Sequence, residues 1–117
     1  MQHIIKDPEK HLPSIDWKLS LKLTGGNLTL AKNLFTMIIN SLPTEQQLIN
    51  SAFINNDLNQ LYELIHKLYG GCCYIGLPKL KYIVKNLEQE IISRNQEQIT
   101  NYVNLLNQEL DFLIKSN

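Results

Sequence analysis

Apolar side chains recur every three or four residues along most of this chain, which is the spacing of one face of an α-helix. The first long stretch begins at Asn27 and is interrupted by Pro43, which lacks the amide hydrogen that a continuous helix uses. The pattern therefore predicts a helix that Pro43 kinks or divides. The apolar positions of this stretch are Ala31, Leu34, Phe35, Ile38, Leu42, Leu48, Ile49, Ala52 and Phe53.

Three further stretches show the same spacing and are separated by residues typical of helix ends. Asn55 to Asp57 supply capping side chains for a helix that contains His66 and is predicted to run toward Gly76. Pro78 suits the first turn of the next helix, and the last helix follows Ser93 to Asn95. The three apolar faces comprise Leu58, Leu61, Leu64, Ile65, Leu68, Cys72 and Ile75; Leu80, Ile83, Val84, Leu87 and Ile91; and Ile99, Tyr102, Val103, Leu106, Leu110 and Leu113.

A shorter helix is predicted ahead of these four, from an N-cap at Ser14 to a stop at Gly25 and Gly26. No stretch alternates with the period of two that a half-buried strand requires, and short connections between long helices favour antiparallel neighbours. Residues 14–117 are therefore predicted to be all-α, an antiparallel up-and-down four-helix bundle with a short additional N-terminal helix. Residues 1–13 are predicted to be a linker or leader, which favours a fragment excised from the C-terminal end of a longer protein.

Composition narrows the classes of partner and location. The 117 residues suffice for one domain with an ordinary core. Lys+Arg and Asp+Glu both number 11, and this zero net charge argues against a nucleic-acid partner. No apolar run is long enough for a membrane helix, and the N-terminus lacks the order of a signal peptide, so no membrane contact is expected. The adjacent pair Cys72 and Cys73 favours a reducing, cytoplasmic location. The isolated domain is expected to be monomeric.

His66 is followed by Gly70 and Gly71 in a stretch that keeps its helical phase, so the helix is predicted to continue through both glycines. Each glycine costs a helix about 1 kcal/mol relative to alanine, so small side chains must serve a purpose there. Gly70 lies four residues after His66 and therefore beside it on the helix surface. One interpretation is an exposed imidazole that a partner's active site covers. The alternatives are a surface histidine without a chemical role and, at Gly71, close packing of helices.

Other kinds of site are less well supported by the residues near this histidine. Neighbouring helical side chains diverge by about 100°, so Cys72 and Cys73 are not expected to bind a metal with His66, His3 or His11. No motif places a serine and a carboxylate beside the histidine, which argues against a hydrolase.

Two features near His66 have competing interpretations. Glu88 or Gln89 on the following helix is within reach of the imidazole's second nitrogen, but a solvated helix face is the favoured interpretation. Packing at the edge of the bundle is favoured over a ligand cage for the tyrosines of the histidine helix, Tyr62, Tyr69 and Tyr74.

A neutral, exposed imidazole is a competent nucleophile near pH 7, because its ordinary pKa is about 6.5. Attack on phosphorus would form a phosphoimidazole. The chain has no glycine-rich nucleotide loop and no carboxylate cluster for Mg²⁺, so it is not expected to phosphorylate itself from ATP. No cofactor is expected in this domain, and a partner would have to supply the metal and the positioning groups.

The segment from His66 to Leu80, HKLYGGCCYIGLPKL, resembles the phosphoacceptor segment of histidine-containing phosphotransfer (HPt) domains. The usual form is H-x-L-K-G-S/A-S/A, followed by a glycine and a leucine-bearing helix. The positions that match are His66, Leu68, Gly70, Gly71, Gly76 and Leu80. The chain looks most like the C-terminal HPt domains of tripartite hybrid sensor kinases of the BarA and GacS type. The resemblance implies a four-helix bundle, His66 as the phosphorylated residue, and receiver domains of bacterial two-component systems as partners.

The resemblance also bears on the surroundings of the phosphoryl group. Lys67, Tyr69 and Gly70 would neighbour it, and Tyr69 stands where most members of the family have a lysine. Mg²⁺ would reside in the partner receiver. The receiver-docking surface is expected to centre on His66 and to include Asn59, Tyr62, Glu63, Lys67, Gly70 and Cys73.

The predicted function is that of a phosphorelay intermediate. His66, through Nε2, would accept a phosphoryl group from a receiver aspartate and pass it to the receiver of a response regulator. The domain is not expected to be an enzyme with its own ATP site, and its parent chain is expected to be a hybrid sensor histidine kinase. The alternative hypothesis is a non-catalytic helical module that binds receivers without phosphotransfer, and Tyr69 in place of lysine keeps it open.

Overall fold

The computed structural model describes residues 11–116, and this range contains five α-helices. Their order and bounds are α1 (Trp17–Leu23), α2 (Leu28–Ile54), α3 (Leu58–Gly71), α4 (Pro78–Ser93) and α5 (Gln96–Lys115). The predicted all-α class is confirmed for the described part of the chain. Within it, no helix has both the length and the apolar character needed to cross a bilayer.

The four long helices pack in a ring. Helix α2 packs against α3 and α5, and α4 packs against α3 and α5, so each long helix has two long neighbours. The short connections reverse the chain each time, as the sequence predicted. Helix α1 lies outside the ring against α2, where the rings of Trp17 and Phe35 meet at 4.9 Å between centroids. The bundle with a short additional N-terminal helix is therefore confirmed.

Side chains that stop or start the helices explain most of the boundaries. The carboxylate of Asp57 accepts a hydrogen bond from the backbone N–H of Gln60, so it caps α3 as predicted. Asn95 caps α5 in the same way. The predicted cap of α1 is wrong, because Asp16 rather than Ser14 accepts the N–H of Leu19.

The predicted apolar faces form the core. Every position predicted on α4 and α5 is buried, as are Leu61, Leu64, Ile65 and Leu68 of α3. On α2 the prediction at Leu48 is wrong, because this side chain is exposed, and Ile39 fills the core instead. In a helix this long, the buried face moves around the axis relative to a fixed repeat of apolar positions. Some positions that fit the repeat are therefore exposed, and some that do not fit it are buried.

Helix α2 runs unbroken through Pro43 over 27 residues. Of the two effects predicted for Pro43, a kink or a division, the division is therefore wrong. Proline removes one helical hydrogen bond at this point, and the apolar contacts on both sides hold the helix together: Leu42 before it and Ile49 after it are both fully buried.

Helix α3 ends sooner than predicted. It includes both Gly70 and Gly71, which confirms that the glycines are helical, but it stops there instead of running toward Gly76. The following N–H groups, of Cys73 and Tyr74, bond three residues back to the carbonyls of the two glycines, and the chain then leaves the helix axis. Cys72 and Ile75 are nevertheless buried, because the departing loop folds onto the core.

Gly76 fixes the loop between α3 and α4 to helix α1. Its N–H donates to the hydroxyl of Ser20 at 2.8 Å, and its carbonyl accepts the N–H of Asp16 at 2.9 Å. A Cβ atom on this residue would lie 2.2 Å from the Asp16 carbonyl oxygen and 2.8 Å from the Ser20 hydroxyl. The backbone approach thus requires glycine, and it sets where α4 begins beside α3.

Replacing Gly76 with alanine is expected to lower the free energy of unfolding by about 1–3 kcal/mol, the usual cost of overpacking a close contact. Backbone atoms crowd the added methyl group, so the loop or α1 has to move. Urea unfolding followed by circular dichroism measures the change. Gly71→Ala is the control, because no atom lies within 4 Å of a Cβ there, and equal stabilities of the two variants would contradict the prediction.

The predicted leader, residues 1–13, falls mostly outside the described residues. Of the three described positions, Pro13 accepts a hydrogen bond through its carbonyl from the N–H of Lys79 at 3.2 Å. This bond satisfies one of the free N–H groups at the start of α4.

Candidate functional site

His66 lies on the outer face of α3, and its side chain is 63% exposed. Its Nδ1 atom is 2.5 Å from Oε2 of Glu88, which α4 presents from the neighbouring position in the bundle. Glu88 is only 15% exposed. The favoured interpretation, in which Glu88 belongs to a solvated helix face, is therefore wrong. Glu88 instead contacts the second nitrogen of the imidazole. Gln89, the other candidate, is exposed.

The contact with Glu88 determines the chemistry of the ring. A carboxylate only accepts hydrogen bonds, so in the neutral imidazole Nδ1 holds the proton and donates it. The lone pair then remains on Nε2, the nitrogen on the far side of the ring from α4. An acidic partner also fixes the ring orientation. In its neutral form the ring is thus held in one tautomer, with Nε2 as the nitrogen that is free to attack.

Tyr62 lies one turn before His66 on α3 and packs against the imidazole ring. The two rings are stacked, with centroids 5.7 Å apart and planes inclined by 13°. Partial desolvation, and then the negative charge of Glu88 and a hydrogen bond to it, raise the pKa of Tyr62. The phenol is therefore neutral. Tyr62 and Tyr69 also pack against the core, which confirms the predicted edge packing for these two. The prediction is wrong for Tyr74, which lies beyond the end of α3 and is 66% exposed.

The two glycines leave open space beside the histidine. No atom outside the neighbouring helix backbone lies within 4 Å of a Cβ built on Gly70 or on Gly71. Close packing of helices at Gly71, one of the alternatives, is therefore wrong. The opening at Gly70 lies one helical turn beyond His66, where a larger side chain would stand next to the ring.

The other predicted neighbours of the phosphoryl group point in different directions. Lys67 is 76% exposed, and its Nζ lies 3.8 Å from Glu45 of α2. Tyr69 packs against the core, and Nζ of Lys81 lies 5.8 Å from the centre of its ring. Lys67 is thus paired toward α2, whereas Tyr69 lies on the side of α4.

Three of the predicted docking residues line one groove. Asn59, Tyr62 and Glu63 of α3 face the C-terminal part of α4 across a groove of about 460 Å³. The opposite wall includes Ile92, which is 66% exposed, and Arg94. Cys73, another of the predicted docking residues, is exposed just beyond the end of α3, and its Sγ donates to the carbonyl of Tyr69. All four lie along the exposed side of α3 and the turn that follows it.

The family model of the Hpt domain matches residues 33–114, which is more than half of the chain. The chain belongs to the Hpt domain family. The family resemblance predicted from the segment around His66 is therefore confirmed, and histidine phosphotransfer in a phosphorelay is the function of the domain.

Two related proteins and one solved structure agree with this assignment. The Hpt domain is 31% identical over 85 residues to signal transduction histidine-protein kinase BarA of Escherichia coli (strain K12), a match that covers 73% of this chain and 9% of BarA. Sensor protein GacS of Pseudomonas syringae pv. syringae is 32% identical over 74 residues, or 63% of this chain and 8% of GacS. The chain thus spans less than a tenth of these relatives.

The solved structure is that of the HPT domain from a Shewanella Hpt sensor hybrid histidine kinase. It superposes with a TM-score of 0.82 at 26% identity, and the match covers 88% of this chain and 89% of that chain. The helical bundle of this Hpt domain is therefore a fold that a hybrid-kinase domain also adopts.

The cysteines of the Hpt domain differ in environment although they are neighbours. Burial raises the pKa of Cys72 to about 12, so its thiol remains protonated in the core. Cys73 is exposed just beyond the end of α3. Between residues 11 and 116 no three His, Cys, Asp or Glu side chains lie close enough together to hold a metal ion; His3 lies outside the described residues.

Several residues of this site were missed by the sequence analysis. No motif marks Glu45 of α2, Lys81 and Ile92 of α4, or Arg94, which directly follows α4. How far each helix is shifted along its neighbour brings these residues to the site, and for α4 the loop that Gly76 attaches to α1 contributes to that position. A periodic pattern reports which face of a helix is buried and does not report that shift.

Proposed function

We propose that His66 is the phosphoacceptor of this Hpt domain, and that it relays a phosphoryl group from a receiver aspartate to the receiver of a response regulator. The observation that supports this most strongly is the geometry of the ring. Nδ1 is held by Glu88, and Nε2 is the free nitrogen of an exposed side chain next to the opening at Gly70.

The transfer balances without an additional base on this domain. The Nε2 lone pair attacks phosphorus as the bond between phosphorus and the aspartyl oxygen breaks, and the aspartate leaves with the electron pair. The ring retains its Nδ1 proton and becomes a positively charged phosphoimidazole. Glu88 then faces a cation, so its carboxylate stabilises the product as well as the orientation of the ring. The return step, onto a second aspartate, is the reverse.

The receiver supplies Mg²⁺ and the groups that position its aspartyl phosphate, as the family resemblance implies. A receiver docks on the exposed side of α3 around His66, through Asn59, Tyr62, Glu63, Gly70 and Cys73. Support for this surface comes from the groove between α3 and α4 and from the exposed apolar side chain of Ile92. Ile92 lies in this groove with Leu58, Tyr62 and Ile91, and an apolar patch rimmed by polar side chains is typical of docking surfaces.

For the whole protein we propose a hybrid sensor histidine kinase, with this domain in the cytoplasm. The support is the similarity to BarA and GacS over the Hpt segment. As an isolated domain it is proposed to be a monomer that does not bind ATP. The non-catalytic alternative, receiver binding without phosphotransfer, is not favoured, because the chain belongs to the phosphotransfer family.

The test of this function is transfer of label. Receiver domains from the organism of origin, phosphorylated with labelled acetyl phosphate, are mixed with the Hpt domain for seconds to minutes. The expected result is label on the Hpt domain that is lost in acid and retained in alkali, as a phosphoimidazole requires. A domain that binds a receiver but never gains such label would contradict the proposal.

Glu88→Gln is expected to slow acceptance of the phosphoryl group by about tenfold. The amide oxygen still accepts a hydrogen bond from the Nδ1–H group and orients the ring, but it no longer offsets the positive charge that the ring acquires. The equilibrium should also shift back toward the receiver. Quench-flow measurement of both directions with one receiver gives the two rates.

The control is Glu97→Gln, which removes an exposed carboxylate from the first turn of α5. It should leave both rates within about twofold of the wild type, since an exposed charge away from the reacting groups is screened. Equal rates for Glu88→Gln and the wild type would show that Glu88 acts only by orienting the ring.

A further inference from the structure

Phosphorylation of His66 places strong negative charge where two carboxylates already lie. A phosphoryl group has a charge of about −1.5 to −2 near neutral pH. Glu88 contacts the ring, and Glu63 is exposed one turn before His66 on the same helix. Lys67, the nearest lysine in sequence, lies against Glu45 on the side of α2. A cation from another direction would be needed to balance the group.

Helix α4 presents such a cation. Lys85 lies three residues before Glu88, so their Cβ atoms are neighbours at about 5–6 Å on one face of α4. Tyr69 lies three residues after His66 on α3, and Tyr69 and Lys85 line the same cavity. Since α3 and α4 are antiparallel, the pair of Glu88 and Lys85 faces the pair of His66 and Tyr69. The exposed side chain of Lys85 therefore starts from a position on α4 close to His66.

The next lysine on this face is held elsewhere. Lys81, one turn before Lys85, is half-buried and places its Nζ over the ring of Tyr69. Lys85 is exposed, and among residues 11–116 it has no ion-pair partner. Lys81 is thus held over the ring of Tyr69, whereas the side chain of Lys85 is able to turn toward His66. A lysine ammonium on its flexible four-carbon stem suits that movement.

We propose that Lys85 contacts the phosphoryl oxygens on His66 and supplies the positive charge of this site from α4. The proposal rests on His66 being the phosphoacceptor. In the free domain the ammonium is solvated, and it joins the phosphoryl group as the bond between phosphorus and Nε2 forms. Tyr69 shapes the wall along which the lysine reaches the histidine.

A small donor tests this contact without the charges of a receiver. Phosphoramidate transfers its phosphoryl group to a histidine when Nε2 attacks phosphorus and the bond from phosphorus to nitrogen breaks, with a proton from water releasing ammonia. The labelling rate of the domain, residues 1–117, is compared for the wild type, Lys85→Gln, Lys85→Arg and Lys81→Gln. Circular dichroism confirms that each variant is folded.

Lys85→Gln is expected to lower the labelling rate about tenfold, whereas Lys85→Arg and Lys81→Gln stay within about threefold of the wild type. The phosphorus NMR titration midpoint of the labelled histidine should rise in Lys85→Gln, because a nearby cation stabilises the more ionised phosphoryl group. An unchanged rate or an unchanged midpoint in Lys85→Gln would overturn the proposal, as would an equal loss in Lys81→Gln. A wild-type domain that takes no label would instead count against His66 as phosphoacceptor.

Discussion

His66→Gln is expected to lose all detectable label, a fall of at least about a thousandfold in the rate of transfer from a phosphorylated receiver. Glutamine is similar in size and polarity but has no nucleophilic nitrogen, because the lone pair of an amide nitrogen is delocalised. The side chain of His66 is 63% exposed and lies outside the core, so the fold should be retained. The measurement is autoradiography of the domain after exposure to the labelled receiver.

Two comparisons make this result specific. His11→Gln removes an exposed histidine ahead of α1, and this variant should accept label at the wild-type rate. Binding of the unphosphorylated receiver, measured by calorimetry, should stay within about threefold of the wild type in His66→Gln. Label retained by that variant would move the phosphoacceptor to another residue and would contradict the proposed function.

The fold of this domain could be predicted from the sequence because its core is built from regular helical stripes. All five positions predicted on α4 and all six on α5 are buried. Errors arise where local pattern and tertiary contacts disagree. Helix α3 stops at Gly71 because the chain turns to reach α1, where Gly76 bonds with Asp16 and Ser20, and apolar spacing has no way to indicate that turn.

The candidate site could be predicted only in the part that lies on one helix. Spacing along α3 placed Gly70 beside His66, and open space is found there. The partner of the imidazole depends on how far α4 slides along α3. A shift of one helical turn would bring Lys85 or Ile92 opposite the ring in place of Glu88, and the apolar face of α4 would be buried equally well. The sequence therefore marks His66 as the candidate nucleophile and Glu88 as one possible partner of its ring, but it does not decide that Glu88 makes the contact.

Gly70→Leu is expected to slow phosphoryl transfer from a receiver by about a hundredfold, while labelling by phosphoramidate changes less than about threefold. The isobutyl group would occupy the open space next to the ring, which a docked receiver needs for its aspartyl phosphate to approach Nε2 in line. A small donor reaches the nitrogen around the new side chain. The ratio of the two rates thus separates access for a partner from the reactivity of the histidine itself.

Gly71→Leu is the matched control for this experiment. It adds the same side chain to the same turn of α3, also into open space, but points about 140° away from His66 around the helix. Transfer from the receiver should therefore stay within about threefold of the wild type. Both variants should be at least as stable as the wild type, since leucine favours a helix over glycine by about 1 kcal/mol. Equal slowing in the two variants would mean that bulk at the end of α3, rather than access to His66, limits transfer.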